Sequence, residues 1–534
     1  MTDSGQYTEH LLSLPVHTTM RTSVPTVSPL DTVALVADVM IGEKIGAVVV
    51  VDGDRPVGIV TERDLLERVI KTRKDFESTT VKDVMSKPLI TIEADDSASE
   101  ALDIMRRHNI KRLIVTKNGA VAGITTERRL LTIAYKRYMM KGISAAATGA
   151  NYGAIGITVG FLSSYPPREC GIATYTKDLV DAISDLYVLS APVIFAVNDK
   201  GSHYNYGGDV KYEVDQDLVE SYEEAARYVN ASNIDVISLQ HEFGLFGGAW
   251  GEHIIHFLEK LKKPVIATLH TVLLEPDSTA RRVSEGMLQY SNHVIVMAKV
   301  GVRILEQLYE TFSDKVRYVP HGCPNVPLLR SESMKRRLGL EDRVTISTFG
   351  LLSRGKGIEY VIEALPEIVQ AEPRTLYLVI GQTHPQVRKH EGETYRAKLS
   401  ELVESLGLDN NVRFVNRFLR KNELIGYLQA TDIYVIPYPN REQISSGTLL
   451  YALSTGKAIV STPFLHAEEV ISEGCAMECS FKDPTSIADC AVTLLKNDDV
   501  RRRLERRAYE YSRAMIWPQV AMRYVNRFYE ALKM

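Results

Sequence analysis

The chain has 534 residues, which at roughly 150 residues per domain suggests three or four domains. Hydrophobic residues make up 45% of it and charged residues 24%, proportions that exclude disordered, collagen-like and coiled-coil rod proteins. The net charge of −4 disfavours a nucleic-acid binder, and there is no apolar run long enough for a membrane span. The N-terminal residues do not resemble a secretory signal, and 5 scattered cysteines fit free thiols. We therefore expect a cytoplasmic protein.

The N-terminal part of the chain contains an internal repeat. Shifted by 65 positions, residues 20–66 align with 85–131 without a gap. Each unit has a short extended piece, an amphipathic helix (31–41 or 96–107), two strands joined by a polar turn, and a threonine that begins a last helix. Units this short need a partner to bury a sufficient core. The repeat therefore predicts a paired module over 18–140, preceded by a tail.

This pair resembles a tandem CBS (Bateman) module in repeat length, order of elements and the segment from Gly58 to Asp64. The resemblance implies that AMP, ADP or ATP binds between the units and that the modules associate face to face in a homodimer. A helix that begins at Thr61 offers N–H groups and a hydroxyl to phosphate, and Asp64 can accept hydrogen bonds from ribose. The second unit keeps Thr126 but has Arg129 in place of the aspartate, so we expect two unequal sites. The alternative is a degenerate module that only packs or dimerises.

The remainder of the chain has the pattern of parallel sheets. Residues 141–154 are small and predict a linker. After it, Val/Ile runs alternate with helical stretches in two series, which indicates sheets covered on both faces. We expect two Rossmann-like lobes, 155–335 and 336–514, with a ligand in the cleft between them, and a helical C-terminal segment, 515–534. The expected strands are 155–162, 192–197, 235–240, 265–269, 294–297 and 316–319, then 344–349, 375–380, 412–415, 433–436 and 458–460.

Polar residues follow several strands of the first series. Gly171 lies between a strand and a helix, where a glycine allows close approach and a helix N-terminus favours an anion. Three histidines, each at a strand end of one lobe, are hard to explain as core residues. They are His241, His270 and His321, and the segment after the first of them also holds Glu242, Gly247 and Gly248.

The second series begins with a glycine-rich basic turn between a strand and a helix. In this turn Gly350, Arg354 and Lys356 predict a diphosphate site made of cations and backbone N–H groups. The turn is not a Walker A sequence, because it lacks the Gly-Lys-Ser/Thr pattern. A later helix, predicted to begin near Ser445, again offers free N–H groups beside small residues, namely Ser445, Ser446, Gly447 and Thr448.

With these motifs in this order, residues 155–534 resemble a retaining nucleotide-sugar glycosyltransferase of family 4, with the GT-B fold. The resemblance implies an α/β architecture of two Rossmann-like domains with a C-terminal helix that crosses back to the first. It implies a donor of the UDP-glucose or GDP-mannose type in the C-terminal lobe and an acceptor in the N-terminal lobe. The motifs that carry it are the Gly171 loop, His270, the Gly350–Gly357 turn, 432–437 and 446–457.

The same resemblance gives roles to single residues. Lys356 would neutralise the leaving diphosphate, and His270 would contact the transferred sugar. The Gly171 loop would approach the phosphates. We expect no metal, because lysine, arginine and helix N-termini offset the charge in such enzymes. Glu242 is the nearest candidate for a nucleophilic carboxylate, and we favour a same-face transfer without one. The acceptor candidates are His241, Gly247 and Gly248.

Two departures from the family mark a divergent branch. An arginine usually follows the first glycine of the basic turn, but Leu351 stands there, so Arg354 is expected to replace it. The family's paired glutamates fall on Gln443 and Tyr451, neither of which is acidic. The usual carboxylate for the donor hydroxyls is therefore absent. We expect Gln443 to substitute, in preference to Glu442.

The sequence thus predicts a hexosyltransferase regulated by adenine nucleotide. One alternative is a catalytically impaired sensor or scaffold, and another is a phosphorylase or a sugar-nucleotide-dependent synthase on the same fold. The acceptor could be a soluble sugar, a polysaccharide or a lipid-linked sugar. The arginines of 501–507 could meet an anionic membrane, although a solvated helix face paired with Glu505 and Asp499 also explains them.

Overall fold

The computed structural model describes residues 15–126 (except 23, 44, 54 and 109), 129–130, and 157–533 (except 187–188). The chain divides into two compact units, Met1–Gly153 and Ala154–Met534. The division coincides with the end of the expected linker, which itself lies outside the described residues. Part of the last helix of the second repeat and the first residues of the expected strand at 155 also lie outside them.

The first unit contains two three-stranded sheets of the same build, one for each repeat. Polar side chains cap the longer helices of both repeats: Ser97 accepts from the N–H of Glu100, and Thr32 accepts from the N–H of Leu35. The elements are β1 (Thr26–Val27), α1 (Val33–Gly42), β2 (Ala47–Asp52), β3 (Arg55–Thr61), α2 (Glu62–Leu65, continued by a π-helical turn), β4 (Thr91–Glu93), α3 (Ala98–Arg107), β5 (Arg112–Lys117) and β6 (Ala120–Thr126).

The opening segment of each repeat packs on the other repeat. Val16 lies in the core of the second repeat, and Val81 lies in the core of the first. A Cβ added to Gly58 would lie 2.6 Å from Sδ of Met85, so the glycine makes room for this exchanged segment. The equivalent pair in the second repeat is Gly123 and Met20. The repeats therefore complete each other's cores, as the small size of each unit requires.

The N-terminal lobe of the second unit is built on a seven-stranded parallel sheet of order β13-β12-β11-β10-β7-β8-β9. Of its strands, β9 was not expected, because its alternating, partly exposed residues (VKYEVD) do not form an apolar run. The elements are β7 (Val159–Ser163), α4 (Gly171–Ser184), β8 (Val193–Asn198), β9 (Val210–Asp215), α5 (Val219–Ala231), β10 (Val236–His241), α6 (Ile254–Lys260), β11 (Val265–Leu269), α7 (Ser278–Tyr290), β12 (His293–Val296), α8 (Lys299–Leu308) and β13 (Val316–Tyr318).

The C-terminal lobe is built on a six-stranded parallel sheet of order β16-β15-β14-β17-β18-β19. Its elements are α9 (Ser331–Leu338), β14 (Val344–Phe349), α10 (Ile358–Ala371), β15 (Thr375–Ile380), α11 (Pro385–Glu391), α12 (Thr394–Ser405), β16 (Val412–Val415), α13 (Lys421–Ala430), β17 (Ile433–Ile436), α14 (Gly447–Ser454), β18 (Ala458–Ser461), α15 (Leu465–Ser472), β19 (Met477–Glu478), α16 (Pro484–Lys496), α17 (Asp498–Ser512) and α18 (Trp517–Ala531).

The boundary between the lobes differs from the expected position at 335. Helix α9 packs on α13 of the C-terminal lobe, and Lys335 Nζ lies 2.5 Å from Asp432 Oδ2. The side chain of Lys335 is 9% exposed and that of Asp432 is 14% exposed, and Ser331 Oγ also donates to Asp432 at 2.7 Å. Residues 331–335 therefore lie in the C-terminal lobe, because this ion pair holds them there.

Helix α18 crosses back to the N-terminal lobe, as the resemblance implied. It packs against α4. The hydroxyl of Tyr524 lies 2.9 Å from that of Tyr175 on α4 and 2.8 Å from that of Thr268 on β11. All three side chains are buried. The last helix is thus fastened by polar contacts inside the N-terminal lobe.

The arginine-rich helix α17 carries ion pairs along its surface. Arg501 lies 2.7 Å from Asp498 and 3.9 Å from Glu505, and Arg502 lies 3.9 Å from Asp498. The partner is Asp498 rather than the expected Asp499, because Asp498 is one helical turn before both arginines. Within the described ranges, the structure contains no helix with the length and apolar character of a membrane span.

Replacing Tyr524 with phenylalanine tests how α18 is fastened. The change leaves the hydroxyls of Tyr175 and Thr268 buried without their partner, so we expect the free energy of unfolding to fall by about 1–3 kcal/mol. The measurement is urea denaturation followed by circular dichroism. The control is Tyr290→Phe at an exposed tyrosine. Equal stability of the two variants would contradict the assignment.

Candidate functional site

Segments that follow the strands of the two sheets contact each other across the second unit. Ser445 Oγ donates to the carbonyl oxygen of His270 at 3.0 Å. Ile444, beside it, packs in the hydrophobic core of the N-terminal lobe. On the other side, Glu169 of the loop before α4 accepts a hydrogen bond from Gln382, which follows β15. The carboxyl ends of both sheets thus meet at one place, where ligands bind in open α/β sheets.

Two of the three expected histidines surround one buried tyrosine. The ring of Tyr175 lies 4.8 Å from those of His270 and His321, and 5.2 Å from that of Trp517. Burial lowers the pKa of His270 to about 3 and that of His321 to about 4. Both imidazoles are therefore neutral at pH 7.

Hydrogen bonds fix which nitrogen of each neutral ring is free. His270 Nε2 lies 3.0 Å from Gln240 Oε1, an acceptor, so this nitrogen carries the proton. His321 Nδ1 lies 2.7 Å from the carbonyl oxygen of Gly322 and must donate to it. The other nitrogen of His321 faces α14, because a Cβ added to Gly447 would lie 3.4 Å from it. Each ring thus has one nitrogen able to accept a hydrogen bond.

His241 lies apart from this pair. Its ring is 1% exposed, stacks on Phe246 at 5.8 Å and meets the edge of Phe243 at 5.0 Å. Neither ring nitrogen has a hydrogen-bond partner, and burial lowers its pKa to about 3. A Cβ on Gly247 would lie 1.9 Å from the carbonyl oxygen of Gln216, so packing alone requires this glycine. Acceptor binding by His241, Gly247 and Gly248 stays a prediction.

Glu242 is half-buried at the start of the loop after β10. Its carboxylate accepts from Thr271 Oγ1 at 2.7 Å and from the backbone N–H of Phe243 at 3.1 Å. Burial raises the pKa of Glu242, although these hydrogen bonds oppose the change. Both oxygens are thus engaged by the protein, which makes Glu242 a poor nucleophile.

Gly171 begins α4, as the sequence indicated. The preceding residue, Cys170, makes no side-chain hydrogen bond that caps the helix, and Gly171 is exposed. The first N–H groups of a 14-residue helix therefore lack a side-chain cap at the cleft. Such an end attracts an anion.

Lys356 is held above a tyrosine in the C-terminal lobe. Its Nζ lies 3.0 Å from the hydroxyl of Tyr438 and 4.4 Å from the centre of its ring. Burial alone would raise the pKa of Tyr438, but Lys356 and the hydroxyls of Thr448 and Ser446 outweigh it and hold that pKa below its ordinary value. The Tyr438 hydroxyl is also 2.8 Å from Thr448 Oγ1. These contacts place the ammonium beside the first turn of α14.

Glycines bring three backbone segments together around Lys356. Gly350 has φ 145°, and a Cβ there would lie 3.6 Å from Cε of Lys356. Gly381, which the sequence analysis missed, has φ 130°, and its Cβ would lie 2.0 Å from the carbonyl oxygen of Gly350. Gly357 has φ 63°, and a Cβ there would lie 2.1 Å from the carbonyl oxygen of Pro437. Only glycine tolerates these angles and contacts.

Arg354 points away from the Lys356 contacts. Its side chain is 57% exposed, with Nε 3.8 Å from Glu391 and the guanidinium carbon 5.9 Å from the ring centre of Tyr395. Its expected contact with phosphate stays a prediction and would require Arg354 to leave Glu391.

The segment before α14 is held by a histidine that the sequence analysis missed. His466 Nδ1 accepts from the backbone N–H of Ser446 at 3.0 Å, and the backbone N–H of His466 donates to the carbonyl oxygen of Gln443 at 3.2 Å. Burial lowers the pKa of His466 to about 3, so it stays an acceptor at pH 7. Helix α14 begins at Gly447, two residues later than expected, with the hydroxyl of Ser446 as its cap. No local motif marks His466.

The two positions of the missing glutamates have different surroundings. Gln443 is exposed, and its Nε2 donates to the carbonyl oxygen of Ser445 at 2.6 Å. Tyr451 is buried, with its hydroxyl 3.4 Å from Asp178 on α4. Lys421 Nζ lies 2.7 Å from the same carboxylate. Tyr451 therefore joins the lobes, whereas Gln443 keeps a free amide oxygen.

In the residues that the structure describes, no group of three or more His, Cys, Asp or Glu side chains could hold a metal ion. Asp215 ends β9, and its carboxylate accepts from the N–H of Asp217 at 2.9 Å, so it stabilises the turn after the strand. Asp52 ends β2 at the expected hairpin. All five cysteines are free, as expected.

In the first unit, Thr61 caps α2 and forms a reciprocal capping box with Asp64. The Asp64 carboxylate is buried, accepts from Ser86 Oγ at 2.9 Å and lies 3.2 Å from Arg68. The carboxylate that was expected to bind ribose is thus already bonded to groups of the protein.

The second repeat differs at the same point. Thr126 accepts from the N–H of Arg129 at 3.2 Å, which repeats the cap. The guanidinium of Arg129 donates to the carbonyl oxygens of Thr19 at 2.5 Å and Met20 at 3.3 Å. Arg129 therefore fastens the exchanged segment, and its phosphate contact stays a prediction.

Comparison with known families identifies the domains. Residues 330–511 match the model of the family "Glycosyl transferases group 1", and residues 16–71 and 81–136 match that of the CBS domain. The chain therefore carries a pair of CBS domains and a glycosyltransferase group 1 domain.

Individual proteins resemble each part. An uncharacterized protein of Methanopyrus kandleri is 39% identical over 123 residues, which are 23% of this chain and 63% of that protein. A D-inositol 3-phosphate glycosyltransferase of Corynebacterium efficiens is 27% identical over 289 residues, which are 52% of this chain and 65% of that protein. The chain thus spans less than two thirds of either relative.

A solved structure supports the fold of the second unit. The crystal structure of Anabaena HepE in complex with UDP aligns with 69% of this chain and 98% of its own, with a TM-score of 0.55 and 13% sequence identity. Together with the two parallel sheets, this likeness shows the GT-B fold.

The buried histidines predict a loss of stability in acid. The unfolded chain binds protons at the ordinary histidine pKa of 6.5, whereas His241 binds one in the folded state only near pH 3. The free energy of unfolding therefore decreases as pH falls below 6.5, by up to about 1.4 kcal/mol per pH unit for each such histidine. His241→Phe removes one of the protons that the chain binds on unfolding, so the free energy of unfolding should decrease less steeply as pH falls.

The measurement is urea denaturation at pH 7, 6 and 5. The control is His203→Phe, at an exposed histidine. If His241→Phe keeps the full pH dependence of the unmodified chain, this histidine is charged in the folded state and its burial is misassigned.

Proposed function

We propose that the second unit is a glycosyltransferase that moves a hexose from a nucleotide sugar to an acceptor, with retention and without a metal ion. The observation that carries the proposal is the Lys356 ammonium, held by Tyr438 beside the first turn of α14 and facing a lobe with neutral histidines. A fixed cation next to free helix N–H groups is suited to a diphosphate leaving group.

The donor is bound through its diphosphate between the two lobes. Lys356 and the first turn of α14, with Ser446, Gly447 and Thr448, contact the phosphates from one side, and the start of α4 at Gly171 approaches from the other. Gly350 leaves room for them. A UDP-glucose or GDP-mannose type of donor fits, and the structures of HepE were solved with UDP and with UDP-glucose.

The sugar is held by neutral groups. His270 offers one nitrogen lone pair at the carboxyl end of β11, and Gln443 offers its amide oxygen, since its Nε2 is bound to Ser445. Both can accept from sugar hydroxyls. Gln443 therefore substitutes for the family's glutamate with a neutral acceptor, at some cost in donor affinity.

Retention follows a same-face route. A double displacement needs an ionised carboxylate that is free to attack. Glu242 accepts from Thr271 and Phe243, and burial raises its pKa, so it does not meet this requirement. The departing diphosphate, stabilised by Lys356, can instead accept the proton of the attacking hydroxyl on the same face. The anomeric configuration of the product, read by proton NMR, tests retention.

The CBS pair regulates the transferase by binding AMP, ADP or ATP, and it supports a homodimer. Coupling requires that the nucleotide bind two states of the chain with different affinity. The first repeat supplies Thr61 and Asp64, and the second supplies Thr126 and Arg129. At Asp64, ribose hydroxyls would replace the hydrogen bond from Ser86.

A second candidate is a sensor that has lost catalysis. It is favoured by Tyr451, which occupies a glutamate position and is committed to Asp178 between the lobes. Transfer or hydrolysis of nucleotide sugars by the purified chain would exclude this candidate, and formation of a sugar phosphate with inorganic phosphate would favour a phosphorylase.

Lys356→Ala tests the catalytic proposal. Loss of the cation should lower kcat for hydrolysis or transfer from UDP-glucose or GDP-mannose by about 10²–10³-fold, because charge on the leaving diphosphate loses its stabiliser. The assay is release of UDP or GDP. Lys398→Ala, at an exposed lysine of the same lobe, is the matched control. Unchanged turnover in Lys356→Ala, with unchanged melting temperature, would exclude the assigned role.

A matched pair of variants tests the CBS proposal. Thr61→Val and Thr126→Val each remove a helix cap of similar geometry and cost about 1 kcal/mol of stability. We expect AMP, ADP or ATP to raise the melting temperature of the unmodified chain, and Thr61→Val to reduce this rise more than Thr126→Val. Equal reductions would contradict unequal sites, and no rise in any chain would leave the module a packing element.

A further inference from the structure

An exposed indole lies at the carboxyl edge of the N-terminal sheet. Trp250 belongs to the loop that follows β10, and 41% of its surface is exposed. The chain has 2 tryptophans, and the other, Trp517, is only 6% exposed. Large aromatic side chains usually bury most of their surface. The exposure of Trp250 at the cleft edge therefore needs a cause.

The loop backbone holds Trp250 in a strained conformation. Its φ of 55° and ψ of 25° lie in the left-handed region, which a bulky side chain rarely adopts. Gly248 and Gly251 on either side also have positive φ, and a Cβ on Gly251 would lie 2.7 Å from the carbonyl oxygen of Phe243. The surrounding packing thus imposes the conformation that exposes the indole.

Contacts fix the ring and use its polar atom. Trp250 Nε1 donates to Asp277 Oδ2 at 2.8 Å, and its ring meets the ring of Phe243 at 5.4 Å and 85°. Asp277 itself caps α7 through the N–H groups of Thr279 and Ala280. Since the one N–H of the indole is bonded within the protein, its exposed surface offers only apolar, π-electron contact to a ligand.

The charges near the indole indicate which ligand fits. The neighbouring carboxylates belong to Asp277, which binds the indole, and Glu252, whose partner Arg282 lies 3.2 Å away. Glu242 begins the same loop. Carboxylates accept hydrogen bonds from hydroxyls and repel phosphate. A neutral ring with an apolar C–H face and equatorial hydroxyls matches both the indole and its surroundings.

We propose that Trp250 is a stacking platform for a neutral pyranose ring of the acceptor. The proposal rests on the proposed transferase function and adds to it the place and the charge class of the acceptor. A phosphorylated acceptor ring is disfavoured at this position because the cation near the indole, Arg282, is already paired with Glu252.

Fluorescence of the whole chain reports on Trp250 directly, because acrylamide quenches an exposed indole more than a buried one. The probes are the methyl glycosides of glucose, mannose and galactose, with glucose 6-phosphate as the charged comparison and glycerol as a solute without a ring. We expect at least one glycoside to protect the indole from acrylamide, at concentrations at least tenfold lower than glucose 6-phosphate. No protection by any glycoside, or equal protection by glucose 6-phosphate or glycerol, would overturn the proposal.

Two substitutions separate stacking from a purely structural role. Trp250→Phe keeps an aromatic ring, and Trp250→Leu keeps only apolar volume, while both lose the hydrogen bond to Asp277. A platform requires that Trp250→Phe retain glycoside affinity within about threefold and that Trp250→Leu lose it about tenfold or more, by calorimetry. Equal losses, with equal falls in melting temperature, would show that the indole only fastens the loop. Tyr290→Leu, at an exposed aromatic at the far end of α7, is the matched control.

This result is independent of the test of catalysis. UDP or GDP binding, read as a rise in melting temperature, reports on the donor site alone. If Lys356→Ala leaves turnover intact, the transferase mechanism fails, whereas glycoside protection of Trp250 is decided by its own measurement.

Discussion

The candidate site depends on the hydrogen bond from Ser445 Oγ to the carbonyl oxygen of His270. It joins the segment before α14 in the C-terminal lobe to the end of β11 in the N-terminal lobe, where the buried His270 lies. Ile444 strengthens this join, because it is buried in the core of the N-terminal lobe. His466 holds the same segment from behind through the N–H of Ser446. The first turn of α14 is therefore placed by contacts to both lobes, and its free N–H groups have a fixed direction.

The electrostatics of the cleft follow from burial. Desolvation keeps His270 and His321 neutral, so these two rings add no positive charge there, while Lys356 brings a cation to the C-terminal side. A dianionic diphosphate would meet Lys356 and helix N–H groups on one side and neutral acceptors for sugar hydroxyls on the other. Under the proposed function, this polarity would orient a nucleotide sugar across the cleft, with its leaving group toward Lys356.

Local signals predicted what local interactions determine. The buried strands at 265–269, 344–349 and 375–380 have the expected bounds, because unbroken apolar runs are typical of strands covered on both faces. The edge strand β9 and the two-residue β19 lack such runs and were missed. The threonines that begin the last helix of each repeat, Thr61 and Thr126, were predicted, since a cap involves residues three apart.

Residues that act across the chain were not predictable in this way. His466 and Asp178 carry no motif, and their roles arise only when the fold brings Ser446 and Tyr451 beside them. The sequence located Lys356 and the strand-end histidines, because a residue's place at the end of a strand is local information. It could not show that His241 is enclosed by Phe243 and Phe246, since enclosure depends on how the following loop folds back.

The two CBS repeats show how one long-range contact can decide a binding site. In the first repeat, Arg68 donates to the carbonyl oxygen of Val84. The position one helical turn earlier is therefore not needed for this contact and holds Asp64. In the second, Arg129 stands at the position of Asp64 and donates to the carbonyl oxygen of Thr19, the counterpart of Val84. Each repeat thus keeps an arginine on the exchanged segment. In the second repeat that arginine stands one helical turn earlier and takes the place of the carboxylate, so the two proposed nucleotide sites differ because each repeat fastens its neighbour in its own way.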